Sequence, residues 1–201
     1  MSALRSLSRS NVAKKKQTTM QRKEYQHKKK AATKTHAEIV VKQRKGQNDG
    51  RIIGGCVVMD ILHLKYGFSA EKLEKVMAAA NIMSKKYGKD QVTSFVVSYW
   101  NKRLEEKLLP ECKIKYVMDL ARKEYYIQLY EYYCSACAVM MATLVEMYGY
   151  SSNAKGTGKL DFIMEWCVNR YIEMQFREKE DLAVHYVNKL NRRAGTSFCF
   201  Q

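Results

Sequence analysis

The sequence predicts an all-α fold, and three observations support this. A single proline and ten glycines in 201 residues leave few positions that interrupt a helix. Strand patterns, meaning strictly alternating runs rich in Val, Ile and Thr, are almost absent. Apolar residues instead recur at spacings of three and four, and a hydrophobic content of 46% suffices for a sizeable core. We expect a helical bundle of two related three-helix units that share a long central helix.

The N-terminal region, residues 1–48, is predicted to be a basic tail. Residues 1–50 carry a net charge of +11, whereas the remaining 151 residues carry +5. Residues 1–34 bury too little apolar surface to offset the entropy of ordering, so the tail should be disordered when free, or partly helical. A capping box at Thr35–Glu38 and a stop at Gly46 predict a short helix, and a loop should follow over 47–50.

The body is predicted to span residues 49–195, with a C-terminal tail at 196–201. Its first three helices are each bounded by a capping residue or a helix breaker. They run over 51–66, from Ser69 to Tyr87 and from Asp90 to Pro110.

A long central helix is expected next, because residues 132–145 form an apolar run without one charged residue. This run is shorter than the about 20 residues needed to cross a bilayer, so no membrane partner is expected. It is apolar on every side, which is typical of a buried helix. The spacing extends the helix from Val117 to a stop at Tyr148-Gly149. After a loop at 151–158, two more helices should occupy 160–176 and 180–193.

An internal repeat is the most specific feature of the chain. Residues 57–69 align with 139–151 at a shift of 82, so that Tyr66-Gly67-Phe68-Ser69 recurs as Tyr148-Gly149-Tyr150-Ser151. The match resumes at a shift of 87, where Lys72-Leu73 meets Lys159-Leu160. We interpret the pattern as two three-helix units at about 51–109 and 133–194, since related units can bury their apolar faces against each other.

The stretch from Leu62 to Ser69, followed by Lys72-Leu73, resembles short helical proteins of unknown function encoded by phages or mobile elements of Gram-positive bacteria. These carry a Leu-His pair, then Tyr-Gly-Phe-Gly and a basic-Leu pair. The resemblance covers about 20 residues, and Ser69 replaces the usual glycine. It implies at most a phage or mobile-element origin, and the family has no known activity to carry over to this chain.

The six cysteines and the absence of a signal-peptide pattern indicate a reducing, cytoplasmic location. Cys134 and Cys137 have the CxxC spacing of zinc and redox sites. They lie in the middle of a predicted helix, with no second CxxC, so core packing is the favoured interpretation and a zinc protein or enzyme the alternative. We expect no metal site and no cofactor.

No catalytic arrangement stands out, and we expect no enzyme activity. The acidic residues lie among lysines and arginines, a pattern typical of solvated helix faces. His63 lies in an apolar run and should be a hydrogen-bonded histidine that is buried or half-buried. Residues 155–159 lack the GxxxxGK[ST] spacing and the strand of a phosphate loop. The tyrosines of the long helix, from Tyr125 to Tyr148, predict core and core edge, with a base-stacking platform as the alternative.

The charge distribution leads to a functional hypothesis: a non-enzymatic protein that binds DNA or RNA, because lysine clusters neutralise phosphates. The alternative is an adaptor or inhibitor that binds a host protein. A solubilising tail or a transit peptide would also explain the charge, and oligomers are compatible with the sequence. A helix-turn-helix around Tyr87-Gly88 fits poorly by spacing. The predicted binding residues are Lys14, Lys15, Lys16, Arg22, Lys23, Lys28, Lys29 and Lys30, and Lys85-Lys86, Lys102-Arg103 and Arg192-Arg193 could extend them.

Overall fold

The computed structural model describes the backbone of residues 3–108, 120–175 and 181–199, and the side chains of 35–108, 120–174 and 181–199. Its regular elements within these residues are helices, which confirms the all-α prediction. In chain order they are α1 (Ala3–Tyr66), α2 (Ala70–Lys86), α3 (Gln91–Leu108), α4 (Leu120–Tyr148), α5 (Lys159–Gln175) and α6 (Leu182–Ala194). Contacts divide the chain into two compact units, Met1–Val41 and Lys42–Gln201.

The first unit consists of the N-terminal part of α1. The sequence prediction left disorder and partial helix open for this region, and the backbone is helical from Ala3. Residues 3–45 contain neither glycine nor proline and are rich in Ala, Lys, Arg and Gln, which have favourable helix propensities. The boundary between tail and body at residue 48 stays a prediction.

The prediction of a helix end at Gly46 and a loop over 47–50 was wrong, because α1 continues through these residues. Gly46, Gly50 and Gly54 lie four residues apart and pack against α4. A Cβ atom on Gly50 would lie 2.6 Å from the carbonyl oxygen of Leu129, and one on Gly54 would lie 2.8 Å from the Cβ of Ala136. These glycines therefore allow two helices to approach closely, and they do not end the helix.

The helices α1 and α4 run parallel. Side chains that hydrogen-bond between them lie 81 positions apart, Gln43 with Glu124 at 3.0 Å and Gln47 with Gln128 at 2.8 Å. This packing register nearly equals the repeat shift of 82 residues. Both helices consequently end at the same end of the second unit, α1 at Tyr66 and α4 at Tyr148.

The centre of α4 forms the middle of the core. All residues from Cys137 to Leu144 are buried, which confirms the expectation of a buried central helix. On this centre pack α2 and α3, while α5 contacts α1 through the indole of Trp166, which donates to the Val57 carbonyl at 3.1 Å. Helices α2 and α3 from the first proposed unit thus pack on α4 of the second, and α5 of the second contacts α1 of the first. The division into two three-helix units therefore stays a prediction.

The local end signals in the body act as expected. The Ser69 side chain accepts a hydrogen bond from the Lys72 amide at 3.4 Å at the start of α2. Asp90 Oδ1 accepts from the Val92 and Thr93 amides, at 2.8 and 3.0 Å, at the start of α3. The N–H groups lower the pKa of Asp90. The expected stop at Pro110 and the helix boundaries at 117–119 and 176–180 lie outside the described residues.

The glycines facing α4 give a first testable prediction. Gly50→Ala and Gly54→Ala should each lower the free energy of unfolding by roughly 2 kcal/mol, because the added methyl group overlaps α4. Gly55→Ala is the matched control, since its Cβ would meet only the Met77 methyl at 3.5 Å. This control should gain up to about 1 kcal/mol from the better helix propensity of alanine. Urea unfolding measures all three, and equal effects at positions 50 and 55 would contradict the close packing.

Candidate nucleic-acid interface

The basic residues predicted to bind nucleic acid lie on α1, in the first unit. Their backbones are helical, and their side chains lie outside the described residues. These residues are Lys14, Lys15, Lys16, Arg22, Lys23, Lys28, Lys29 and Lys30. In the second unit, lysines and aromatic residues meet where α1 and α4 end.

The two helices end through the same turn. Gly67 and Gly149 adopt left-handed backbone conformations, with φ of 66° and 60°. The amide of the next residue, Phe68 or Tyr150, donates to the carbonyl six residues earlier, at 3.1 and 3.3 Å. The glycine amides donate to the carbonyls four residues earlier, Gly67 to His63 at 3.2 Å and Gly149 to Val145 at 3.0 Å. This bond and the left-handed glycine define an αL C-cap, and the turn folds the following apolar residue back onto the helix. Phe68 and Tyr150 are accordingly buried.

Four aromatic rings from these turns pack on one another. The ring centroids of Tyr66 and Tyr150 lie 5.7 Å apart, and those of Phe68 and Tyr148 lie 5.3 Å apart. The first residue of each turn therefore contacts the third residue of the other turn. Tyr148 and Tyr150, at 5.9 Å, join the two pairs. The distances are those of favourable aromatic contacts, so the rings form a fixed surface.

Three lysines place their ammonium groups over rings at this end of the bundle. The Nζ atoms lie 5.7 Å from the Phe68 centroid for Lys72, 4.6 Å from Tyr150 for Lys159 and 3.8 Å from Phe162 for Lys65. Cation–π attraction holds each group near its ring while the lysines stay exposed. We call this set the bundle-end cluster; it comprises Lys65, Tyr66, Phe68, Lys72, Tyr148, Tyr150, Lys159 and Phe162.

The bundle-end cluster carries positive charge and neutral hydroxyl groups. Burial raises the pKa values of Tyr66 and Tyr150, so both phenols stay protonated at neutral pH. Next to the cluster, Lys75 and Glu71 are joined at 2.7 Å. Their hydrogen bond lowers the pKa of Glu71 and raises that of Lys75, so these two opposite charges largely cancel.

His63 supports the turn that ends α1. Its Nδ1 atom lies 3.0 Å from the carbonyl oxygen of Phe68, to which it donates, and the residue is half-buried. The expectation of a hydrogen-bonded histidine, buried or half-buried, is confirmed. This contact holds the turn that ends α1.

Backbone amides of the glycine-containing loop at 151–158 donate hydrogen bonds to nearby side chains of the same chain. Asp161 Oδ2 accepts hydrogen bonds from the Asn153 and Gly158 amides, both at 3.0 Å. Asn153 Oδ1 accepts from the Lys155 and Thr157 amides, at 3.1 and 2.9 Å. These four amide groups are therefore already engaged, whereas a phosphate loop directs its amides at the ligand.

The CxxC pair packs in the core. Cys134 and Cys137 are both buried, and the Cys137 thiol donates to the Gly54 carbonyl at 3.6 Å. Burial, and secondarily the adjacent Cys167, raises the pKa of Cys137 well above its usual value, which disfavours the reactive thiolate. Within the described residues, no group of three or more His, Cys, Asp or Glu side chains is arranged to hold a metal ion.

The tyrosines earlier in α4 are used for packing. Tyr133 is fully buried and donates to the Cys167 carbonyl at 2.7 Å. The hydroxyl of Tyr125 donates to Asp49 at 2.7 Å, and burial raises its pKa. The prediction of core and core edge is confirmed for these two residues. Tyr148, with 38% of its surface exposed, keeps the stacking alternative open.

A cavity of about 840 Å³ opens among α1, α2, α3 and α4. Its ionisable lining includes Arg51, Glu105 and Glu131. The guanidinium of Arg51 lies 4.6 Å from the ring centroid of Tyr132. Two carboxylates against one cation disfavour phosphate, so the bundle-end cluster is the better candidate for a nucleic-acid interface.

Sequence reasoning missed the lysines and Phe162 of this cluster. A signal for Lys72 and Lys159 was present, because a Lys-Leu pair follows each Tyr-Gly-aromatic-Ser turn. In the sequence, this Lys-Leu pair indicates a repeat and does not by itself indicate a binding site. Lys65 and Phe162 lie 97 positions apart and meet only through the packing of α5 on α1.

Comparison with protein-family models, with curated proteins and with solved structures finds no match to this chain. Within the described residues, no helix has both the length and the apolar character required to span a bilayer.

Thiol accessibility provides a second testable prediction. In the native protein, Cys199 should react rapidly with iodoacetamide at pH 8, because it is exposed. Cys56, Cys134, Cys137 and Cys167 should be protected, and burial raises the pKa of Cys56 to about 12. Peptide mapping by mass spectrometry after short labelling measures each site. In denaturant all cysteines should react alike, and rapid native labelling of Cys134 or Cys137 would contradict the core assignment.

Proposed function

We propose that this chain is a non-enzymatic protein that binds DNA or RNA, and that it acts in the cytoplasm of a cell carrying a phage or mobile element. The observation that carries the proposal is the concentration of positive charge, +11 within residues 1–50. Lysines and arginines at this density neutralise phosphates and release condensed counterions, which gives sequence-independent affinity that falls with salt.

The bundle-end cluster supports the proposal from the body. Lys65, Lys72 and Lys159 hold exposed ammonium groups at one end of the second unit, over aromatic rings. A cation held by a ring face keeps its full charge available to an anion, whereas an ion-paired cation must first leave its carboxylate. The cluster therefore adds phosphate-binding capacity to that of the N-terminal lysines.

Other basic pairs of the body support the proposal less. Arg103 faces Asp161 at 3.7 Å and Arg193 faces Asp60 at 3.2 Å, so both guanidinium groups have carboxylate partners. Both carboxylates are largely buried, so these arginines serve the fold. Lys85 and Lys86 remain exposed near the end of α2. We assign the phosphate contacts of the second unit to the bundle-end cluster, where the ammonium groups lie beside aromatic rings.

A protein-binding adaptor is the second candidate function, and the surface of α3 favours it. Val92 and Phe95 are each 73% exposed and Tyr99 is 47% exposed, at spacings of three and four residues. Exposed apolar residues that line up on one helix are typical of protein-interaction surfaces. Affinity capture after nuclease treatment separates the two functions, because a partner that survives digestion and no longer binds the Phe95→Asp variant would favour the adaptor.

Charge neutralisation tests nucleic-acid binding and is the third prediction. Replacing Lys14, Lys15, Lys16, Arg22, Lys23, Lys28, Lys29 and Lys30 by Gln in the full chain should weaken binding to a duplex oligonucleotide. The plot of log affinity against log salt should become less steep by about 0.9 for each phosphate that is no longer neutralised. Fluorescence anisotropy at several salt concentrations measures both quantities.

The matched control replaces the seven lysines of this set by arginine and keeps Arg22. It conserves charge and helix propensity, so the salt slope should stay close to that of the wild type. A glutamine variant that binds with wild-type affinity and slope would reject the role of these residues. A wild-type chain that binds no nucleic acid at low salt would reject the proposed function.

A further inference from the structure

We propose that the bundle-end cluster is a binding surface for single-stranded nucleic acid, on which bases stack against Tyr148 and Phe162 while Lys65, Lys72 and Lys159 bind the adjoining phosphates. This inference rests on the proposed function and specifies the form of nucleic acid and the side chains that bind it.

Two aromatic rings of the cluster are exposed enough to receive a base. Tyr148 is 38% exposed and Phe162 is 42% exposed. Beneath Tyr148, the buried rings of Phe68 and Tyr150 lie at 5.3 and 5.9 Å and fix its position. A stacking surface that is already ordered loses little conformational entropy when a base binds.

Lysine ammonium groups lie next to these rings, as a nucleotide requires. A nucleotide presents a flat base and a charged phosphate within one residue, so its receptor needs an aromatic face and a cation side by side. Lys65 Nζ lies 3.8 Å from the centroid of Phe162. When a phosphate approaches, this ammonium can move from the ring to the stronger anionic partner, which frees the ring face for the base.

The rings favour a single strand over a duplex. In a duplex the base faces are stacked on one another and only the base edges are accessible. The exposed rings of the cluster, Tyr148 and Phe162, offer flat faces that stack on unpaired bases. Since every base has a π-face, we expect binding that tolerates any sequence.

The helix ends explain why such a surface forms here. Each turn at a helix end buries one aromatic residue and is followed by a lysine, Lys72 beside Phe68 and Lys159 beside Tyr150. The hydroxyl of Tyr66 also donates to the Lys159 carbonyl at 3.3 Å, joining the end of α1 to the start of α5. The rings and lysines from both halves thus share one surface.

The experiment compares a fluorescent single strand of mixed sequence with the duplex of the same sequence, using the full chain and its variants. Phe162→Leu and Tyr148→Leu should each weaken single-strand binding about tenfold, since the variant no longer stacks a base. Duplex binding, which depends on charge, should change less than twofold. Phe95→Leu is the control, because this ring is 73% exposed on α3 and lies outside the cluster.

Ring-conserving variants separate stacking from structural damage. Phe162→Tyr and Tyr148→Phe should keep single-strand affinity, and circular dichroism should show wild-type helical content for every variant at the temperature of the binding assay. Wild-type single-strand affinity in Phe162→Leu and Tyr148→Leu, or equal losses on single strand and duplex, would overturn the inference. In that case salt-dependent duplex binding would still stand, so the failure would not be that of the proposed function.

Discussion

The close parallel contact between α1 and α4 is the constraint on which the second unit depends. Ordinary helix pairs have axes about 8–10 Å apart, a distance set by the side chains between them. Here Gly50 and Gly54 place backbone against α4, and a Cβ at either position would overlap its atoms. The contact fixes the register of the two helices. The Cys137 thiol of α4 donates to the Gly54 carbonyl of α1 at 3.6 Å, which shows how near the backbones lie.

The register of this contact determines what meets at the end of the bundle. Because hydrogen-bonded partners lie 81 positions apart and the repeat shift is 82, two similar helix ends finish side by side. The same turn then occurs twice in one place. Tyr66 meets Tyr150 and Tyr148 meets Phe68, and a lysine follows each turn. A shift of one helical turn, about 5.4 Å, would separate these rings.

Much of the fold could be predicted from the sequence because its signals are local, whereas the candidate site could be predicted only in part. Ser69 and Asp90 mark helix starts through bonds to amides two or three residues away. Gly46 misled the prediction because glycine serves both helix ends and close helix packing. The basic residues of the tail are visible from composition alone. The bundle-end cluster instead depends on pairs such as Lys65 and Phe162, which approach through tertiary packing that periodicity does not reveal.

The two proposed contact regions differ in how strongly salt affects them, because the N-terminal segment relies on charge whereas the bundle-end cluster combines three lysines with aromatic rings. Attraction between lysines and phosphates weakens as salt rises, because the entropy gained by releasing counterions falls. Stacking of a base on Tyr148 or Phe162 is driven by apolar contact and depends far less on ionic strength. The basic segment therefore binds single-stranded and duplex nucleic acid with little discrimination, whereas the aromatic surface selects strands whose bases are unpaired. Neither property alone combines fast, charge-driven association with discrimination between single strand and duplex.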